Sequence, residues 1–80
     1  MDNINHPSHY NSGKIEVFDF IESQELNFAK GNVVKYVSRA GKKRASGKSL
    51  NASVLEDLKK AKWYLEKEIK KYEDLSRSSK

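Results

Sequence analysis

Apolar residues recur along the chain with the spacing of helices rather than of strands. Within residues 14–23, Ile15, Phe18 and Ile21 stand three positions apart, with Val17 and Phe20 beside them. This spacing places them on one face of a helix. Ser12 is a candidate N-cap for this first helix.

A second apolar stripe predicts a helix over residues 28–40. Asn27 is the expected N-cap, and Gly41 is expected to end the helix. The residues predicted to form the buried side of this helix are Ala29, Val33, Tyr36, Val37 and Ala40.

A third, longer helix is predicted over residues 54–75. Ser53 and Glu56 have the spacing of a capping box at its start. A heptad-like stripe follows, formed by Leu58, Ala61, Leu65, Ile69, Tyr72 and Leu75. We expect this stripe to pack on the first two helices rather than in a coiled coil.

Trp63 stands apart from that stripe. At about 100° per residue it points roughly 140° away from Leu58, toward charged neighbours. A tryptophan on a polar face needs a partner, for which a neighbouring subunit is the first candidate. A ligand base or one of the other two helices are the alternatives.

The fold class predicted from these patterns is all-α. We expect a polar N-terminal lead over residues 1–13 and a single three-helix domain over residues 14–75. This domain includes a basic loop at residues 41–52, and a disordered tail follows at residues 76–80. Only 36% of the 80 residues are hydrophobic. A chain this small and polar is expected to complete its core by forming a homo-oligomer.

Composition narrows the cellular context and the partners. The sequence contains no cysteine, which excludes a disulfide framework and a thiolate zinc site. No apolar run reaches membrane-spanning length, and the N-terminus does not read as a signal peptide, so a cytoplasmic protein without a membrane partner is expected. The net charge of +5 favours anionic partners, namely nucleotides, nucleic acid or an acidic protein.

The segment SGKS at residues 46–49 resembles the end of a phosphate-binding P-loop. That motif requires four residues between its two glycines, but five separate Gly41 from Gly47. The preceding segment also reads as a helix instead of a strand. We therefore interpret residues 41–52 as a basic interhelical loop.

A polar stripe on the second helix is the better candidate for phosphate binding. Asn32, Lys35, Arg39 and Lys42 recur on one side of it, with Tyr36 adjacent. Arginine offers a planar fork and lysine a point charge to phosphate oxygens. The alternative is a basic face that is simply solvated.

Metal sites are less well supported by the pattern. His6 and His9 lie in the polar lead without a third ligand, so no metal site is predicted there. Two acidic pairs, Glu16 with Asp19 and Glu56 with Asp57, could together hold magnesium. The simpler interpretation is that these acids complement helix dipoles.

Four blocks, HPSHY, IEVFDFIE, GNVVKYVSRAGKK and LEDLKKAKWYL, stand in this order over roughly residues 6–66. In these blocks the chain resembles the small phage-encoded SaV-like family, some members of which are assigned as nucleotide kinases. The resemblance implies a protein acting in the cytoplasm of an infected bacterial host. The matching positions that it implies for a ligand site are His6, His9, Tyr10, Asn32, Lys35, Tyr36, Arg39, Lys42, Asp57, Lys60 and Trp63.

The function expected from these observations is binding of a nucleotide-like small molecule. Cations would contact its phosphates, and Tyr10, Tyr36 or Trp63 would contact its base. We expect the molecule, for example a host defence signal, to be sequestered without a cofactor, because binding demands less of a small helical domain than phosphoryl transfer does. One alternative is a nucleoside monophosphate kinase that uses Glu16, Asp19 and Asp57 to hold magnesium. Another is nucleic-acid or host-protein binding through the basic loop at residues 42–48 together with the basic C-terminal helix.

Overall fold

The computed structural model describes residues 14–42 and 47–78. Three helices occupy most of these residues: α1 spans Val17–Ser23, α2 spans Phe28–Arg39 and α3 spans Leu50–Ser78. Neither described range contains a strand. The predicted all-α fold with a long C-terminal helix is therefore confirmed. The candidate N-cap Ser12 lies outside the described residues.

The ends of α2 follow from its flanking residues. The side chain of Asn27 accepts a hydrogen bond of 2.9 Å from the backbone N–H of Lys30, which confirms the predicted N-cap. After Arg39 the chain leaves the helix, and Gly41 adopts a φ of +88°, a left-handed conformation that favours glycine. The residues that flank α2 thus determine where the helix begins and where it ends.

The start of α3 differs from the prediction. The helix begins one turn early, and Ser49 Oγ accepts the backbone N–H of Ala52 at 3.1 Å. Ser53, the predicted N-cap, lies inside the helix and is buried. The capping-box prediction was wrong because Leu50, Asn51 and Ala52 contain no helix breaker, so the earlier serine can cap an added turn.

Helix α2 runs antiparallel across the N-terminal two thirds of α3. The N-cap residue of α2, Asn27, bonds to Glu68, and its last residue, Arg39, pairs with Asp57. Helix α1 packs on α2 and, among the described residues, makes no close backbone contact with α3. Gly31 is the buried residue of α2. A Cβ there would lie 3.1 Å from Ile21 Cγ2, so glycine lets α1 approach closely.

The stripe predicted to pack against α1 and α2 is not the buried side of α3. The row on α3 that is buried consists of Ser53, Asp57, Ala61 and Glu68. Ala61 is the one apolar side chain classed as buried in the ranges the structure covers. The other members of the predicted stripe are each about half exposed, namely Leu58, Leu65, Ile69, Tyr72 and Leu75.

The prediction for this stripe was wrong because polar residues of α3 find partners on α2. Asp57 meets a guanidinium and Glu68 meets an amide, so charged positions occupy the side that a hydrophobic pattern assigns to solvent. On α2, Val37 was likewise predicted to be buried and is exposed. Within the described ranges, no helix is both long enough and apolar enough to cross a lipid bilayer.

Candidate functional site

Three cations from two helices converge on the ring of Tyr36. Lys35 Nζ lies 4.9 Å from the ring centroid, Lys60 Nζ 5.5 Å and the Arg39 guanidinium carbon 5.9 Å. Lys35 and Arg39 come from α2 and Lys60 from α3. Antiparallel packing of the two helices therefore gathers charges that are far apart in sequence.

An aromatic row continues from this cation cluster. The rings of Tyr36 and Tyr64 are stacked with centroids 6.1 Å apart. Tyr64 also makes edge contacts with Phe28, at 5.9 Å, and with Trp63, at 5.0 Å. Lys67 Nζ lies 4.9 Å above the Trp63 ring. We name the surface formed by these residues the basic-aromatic surface: Phe28, Lys35, Tyr36, Arg39, Lys60, Trp63, Tyr64 and Lys67.

Arg39 forms an ion pair with Asp57, which lies beneath the basic-aromatic surface. Its Nε lies 3.6 Å from Asp57 Oδ1, and the Asp57 side chain is only 4% exposed. A nearly buried carboxylate requires such a partner, because an isolated buried charge is strongly unfavourable. Asp57, predicted as a ligand contact, therefore lies beneath the surface and acts through Arg39.

An open groove of about 390 Å³ lies between α1 and α2 beside the cation cluster. Its walls are largely apolar and include Phe18, Ile21 and Phe28, while Asn32 and Lys35 add polar groups. Lys35 belongs both to the groove and to the basic-aromatic surface. A planar apolar group in the groove would thus have a cation next to it.

Apart from Asp57, the predicted site residues fall into three groups. Lys35, Tyr36, Arg39, Lys60 and Trp63 come together in the basic-aromatic surface. His6, His9 and Tyr10 lie outside the described residues. Asn32 and Lys42 make no cation contact with the Tyr36 ring. Asn32 lines the groove beside Lys35 and its amide donates to the Phe28 carbonyl at 2.8 Å, while Lys42 follows the end of α2 and is exposed.

Three residues of the surface were not anticipated as site residues, namely Phe28, Tyr64 and Lys67. Tyr64 follows Lys60 by four positions and Asp57 by seven, so one helical face carries all three. That spacing was present in the sequence. It could have been recognised only with the knowledge that this face of α3, and not the leucine-rich one, meets α2.

The acidic residues invoked for magnesium do not assemble in the described part of the chain. Glu16 and Asp19 belong to the start of α1, which does not approach α3. Glu56 pairs with Lys48 at 3.3 Å, and Asp57 with Arg39. Across the described ranges, no group of three or more His, Cys, Asp or Glu side chains has the arrangement of a metal site.

The interhelical loop predicted over residues 41–52 is shorter than predicted. Residues 50–52 belong to α3, and residues 43–46 lie outside the described ranges. Lys48 is engaged by Glu56. Among the described cations of the loop, Lys42 is exposed without a contact to the Tyr36 ring.

Comparison with known proteins gives a family without an activity. Residues 4–66, most of the chain, match the profile of DUF3310, described as a protein of unknown function. No curated protein and no solved structure matches the chain.

Proposed function

The chain belongs to the DUF3310 family, and from its basic-aromatic surface we propose that it binds a phosphate-bearing, nucleotide-like small molecule. The observation that carries the proposal is the convergence of Lys35, Arg39 and Lys60 within 6 Å of the Tyr36 ring centroid. Such a cluster offers an arginine fork and two ammonium groups to phosphate oxygens.

The charge of the cluster supports an anionic ligand. The two ammonium groups and the guanidinium all lie within 6 Å of one ring centroid, so any two of them repel each other by on the order of a few tenths of a kcal/mol in water. Asp57 compensates one of the three charges. A phosphate group would relieve the remaining repulsion and would gain charge-assisted hydrogen bonds.

The groove between α1 and α2 supports a ligand that also has a planar apolar part. Phe18 and Phe28 line it, and Lys35 stands at its junction with the cation cluster. A nucleobase in the groove would leave its phosphates directed toward Arg39 and Lys60. Nucleotides combine these two chemical features in one small molecule.

Sequestration without chemical change is the form of this function that we propose. Binding needs only the cations and the aromatic groove, whereas phosphoryl transfer also needs a clamp for a metal–triphosphate donor and its acceptor. The resemblance to phage-encoded proteins suggests a ligand in the infected host that signals in defence, held in the bacterial cytoplasm.

Ligand titration tests this proposal directly. Trp63, the only tryptophan of the chain, contacts Tyr64 and so reports on the site through its fluorescence. Ribonucleoside mono- and triphosphates and cyclic dinucleotides are titrated, with adenosine as the phosphate-free control. We expect saturable binding of at least one phosphorylated compound and none of adenosine. Failure of every phosphorylated compound to bind at millimolar concentration would contradict the proposal.

Charge-matched variants then locate the site. Lys35→Gln with Lys60→Gln is expected to weaken binding at least tenfold, since two phosphate contacts are lost. Lys30→Gln with Lys70→Gln removes the same charge from exposed positions on the same two helices and is expected to change affinity less than twofold. Equal losses in both double variants would show a general charge effect and would exclude the site.

Recovery of the ligand distinguishes binding from chemistry. The complex is incubated with magnesium and denatured, and the released compound is identified by chromatography. Sequestration predicts that the compound is recovered intact. A new phosphorylated or hydrolysed product would show an enzyme instead.

A further inference from the structure

A row of apolar side chains on α3 stays about half exposed within the described part of the chain. Positions 55, 58, 62, 65, 69 and 72 are spaced alternately by three and four residues, as in a coiled-coil seam. Five of the six are apolar and about half exposed: Leu55, Leu58, Leu65, Ile69 and Tyr72. We name this row the apolar stripe.

The apolar stripe is distinct from both other surfaces of α3. The row centred on Ala61 is occupied by α2. Lys60, Trp63 and Lys67 lie on the opposite flank of that row, about 150° from the stripe at roughly 100° per residue. The stripe thus forms a third face of the helix, and neither α1 nor α2 covers it.

We infer that the apolar stripe is covered by the same stripe of a second copy of the chain, with the two α3 helices antiparallel. The first argument is the charge along the stripe's outer edge. In the N-terminal half, this edge carries Lys59 next to Lys62 of the stripe. In the C-terminal half it carries Glu66, with Glu73 one residue beyond the stripe, and the charge of Lys70 on the same edge is compensated by Asp74 at 3.5 Å. When two copies of this helix pair, the positive half of one faces the negative half of the other only if the helices are antiparallel.

Register gives the second argument. An antiparallel pair centred between residues 63 and 64 sets Leu58 against Ile69 and Leu55 against Tyr72. The only polar position of the stripe, Lys62, then lies beside Leu65 and Glu66 of the second copy. A parallel pair in register would instead face Lys62 with Lys62 across the seam, which is unfavourable.

The area available is the third argument. Residues 55–72 span about 27 Å of helix, so two paired helices bury on the order of 1,000 Å² in total, which reaches the lower range of specific interfaces. Large apolar side chains exposed in a contiguous row commonly mark such a surface. A second copy of the chain covers the apolar stripe, and no other partner is required.

Sedimentation equilibrium tests the association. We expect the protein to approach twice its chain mass of 9.2 kDa within the micromolar concentration range. Leu65→Lys should give a monomer that keeps its helical circular dichroism, because it introduces a charge at the centre of the stripe. Leu75→Lys is the matched control, since Leu75 is 50% exposed, close to the 47% of Leu65, but lies outside the stripe. It should remain dimeric.

Three results of this experiment would overturn the inference. A wild-type protein that is monomeric at every concentration excludes the dimer. A Leu65→Lys variant with unchanged mass excludes the stripe as its interface. Loss of the dimer in Leu65→Lys and Leu75→Lys alike would assign the contact to another part of α3 and equally contradict the proposal.

Cysteine cross-linking tests the orientation, because the chain has no cysteine of its own. In the antiparallel pair, Leu58→Cys and Ile69→Cys protomers should form a disulfide when mixed, and neither should cross-link efficiently alone. A parallel pair predicts the reverse result, with each variant cross-linking to itself. That outcome would overturn the antiparallel assignment.

Discussion

Asp57 shows how a single residue links the packing of this protein to its candidate site. Its side chain is almost fully buried and faces the Nε of Arg39 across the α2–α3 interface. Removing one member of a buried ion pair leaves an uncompensated charge or an unused polar group. Arg39 thus contributes to packing as well as to the basic-aromatic surface, and it is not a clean probe of ligand binding.

We predict that Arg39→Ala lowers the free energy of unfolding by about 2 kcal/mol, because Asp57 would remain buried without this partner. This loss is smaller than that expected for a fully buried ion pair, because the Arg39 side chain is 25% exposed to solvent. Urea denaturation followed by circular dichroism measures the effect.

The ion pair between Arg77 and Asp74 supplies the control for this prediction. It is shorter, at 2.7 Å, but both side chains are largely exposed. Arg77→Ala should therefore cost no more than about 0.5 kcal/mol. If the two arginine variants were equally destabilised, burial of Asp57 would not be the cause.

At the level of elements, local signals predicted the helices better than hydrophobic signals predicted their contacts. Asn27 and Gly41 act within one turn of the backbone, so their effect on α2 could be read from the sequence. The buried face of α3 could not be, because it depends on where α2 places a guanidinium and an amide. From the sequence alone, Asp57 and Glu68 are expected to be exposed to solvent, because their partners on α2 are not known.

Asn27 gives a prediction at this scale because it serves two helices at once. Its oxygen caps α2, and its Nδ2 donates to Glu68 Oε2 on α3 at 2.9 Å. Asn27→Ser keeps a capping oxygen but loses the second bond, whereas Asn27→Ala loses both. We expect destabilisation of about 1 kcal/mol for serine and about 2 kcal/mol for alanine.

Chemical denaturation of the two variants separates these contributions. The difference between alanine and serine reports the cap, and the difference between serine and wild type reports the bond to Glu68. Wild-type stability in Asn27→Ser would mean that the bond across the helices contributes nothing to folding.

For the whole molecule, the central fact is how little apolar surface the described chain buries. Ala61 is 5% exposed, while the leucine and isoleucine side chains of the same helix, and Tyr72, remain about half exposed. An 80-residue chain already lies near the lower limit at which one core suffices. Folding and association are therefore expected to be coupled.

This coupling predicts a melting temperature that depends on protein concentration. Dimer formation stabilises the folded state by mass action, so the Tm of the wild-type protein should rise as concentration is raised. The Tm of the monomeric Leu65→Lys variant should not depend on protein concentration. Calorimetry over a hundredfold range of concentration checks this, and a constant wild-type Tm would separate folding from association.

The candidate site was partly predictable at this scale. Lys35 and Arg39 are four residues apart on one helix, so their proximity follows from helical geometry. Lys60 was assigned by resemblance rather than from the pattern, whereas helical periodicity set Trp63 apart, with a ligand base as one of its alternative partners. Their approach to Tyr36 and Tyr64 required the antiparallel packing of two helices, which no local spacing specifies.

The position of the apolar stripe relative to Trp63 has one more consequence. Because the two lie on well-separated flanks of α3, pairing through the stripe leaves both copies of the basic-aromatic surface uncovered. The dimer then presents two equivalent basic-aromatic surfaces. A molecule with two anionic ends would gain avidity from engaging both, while a molecule with one end would fill each independently.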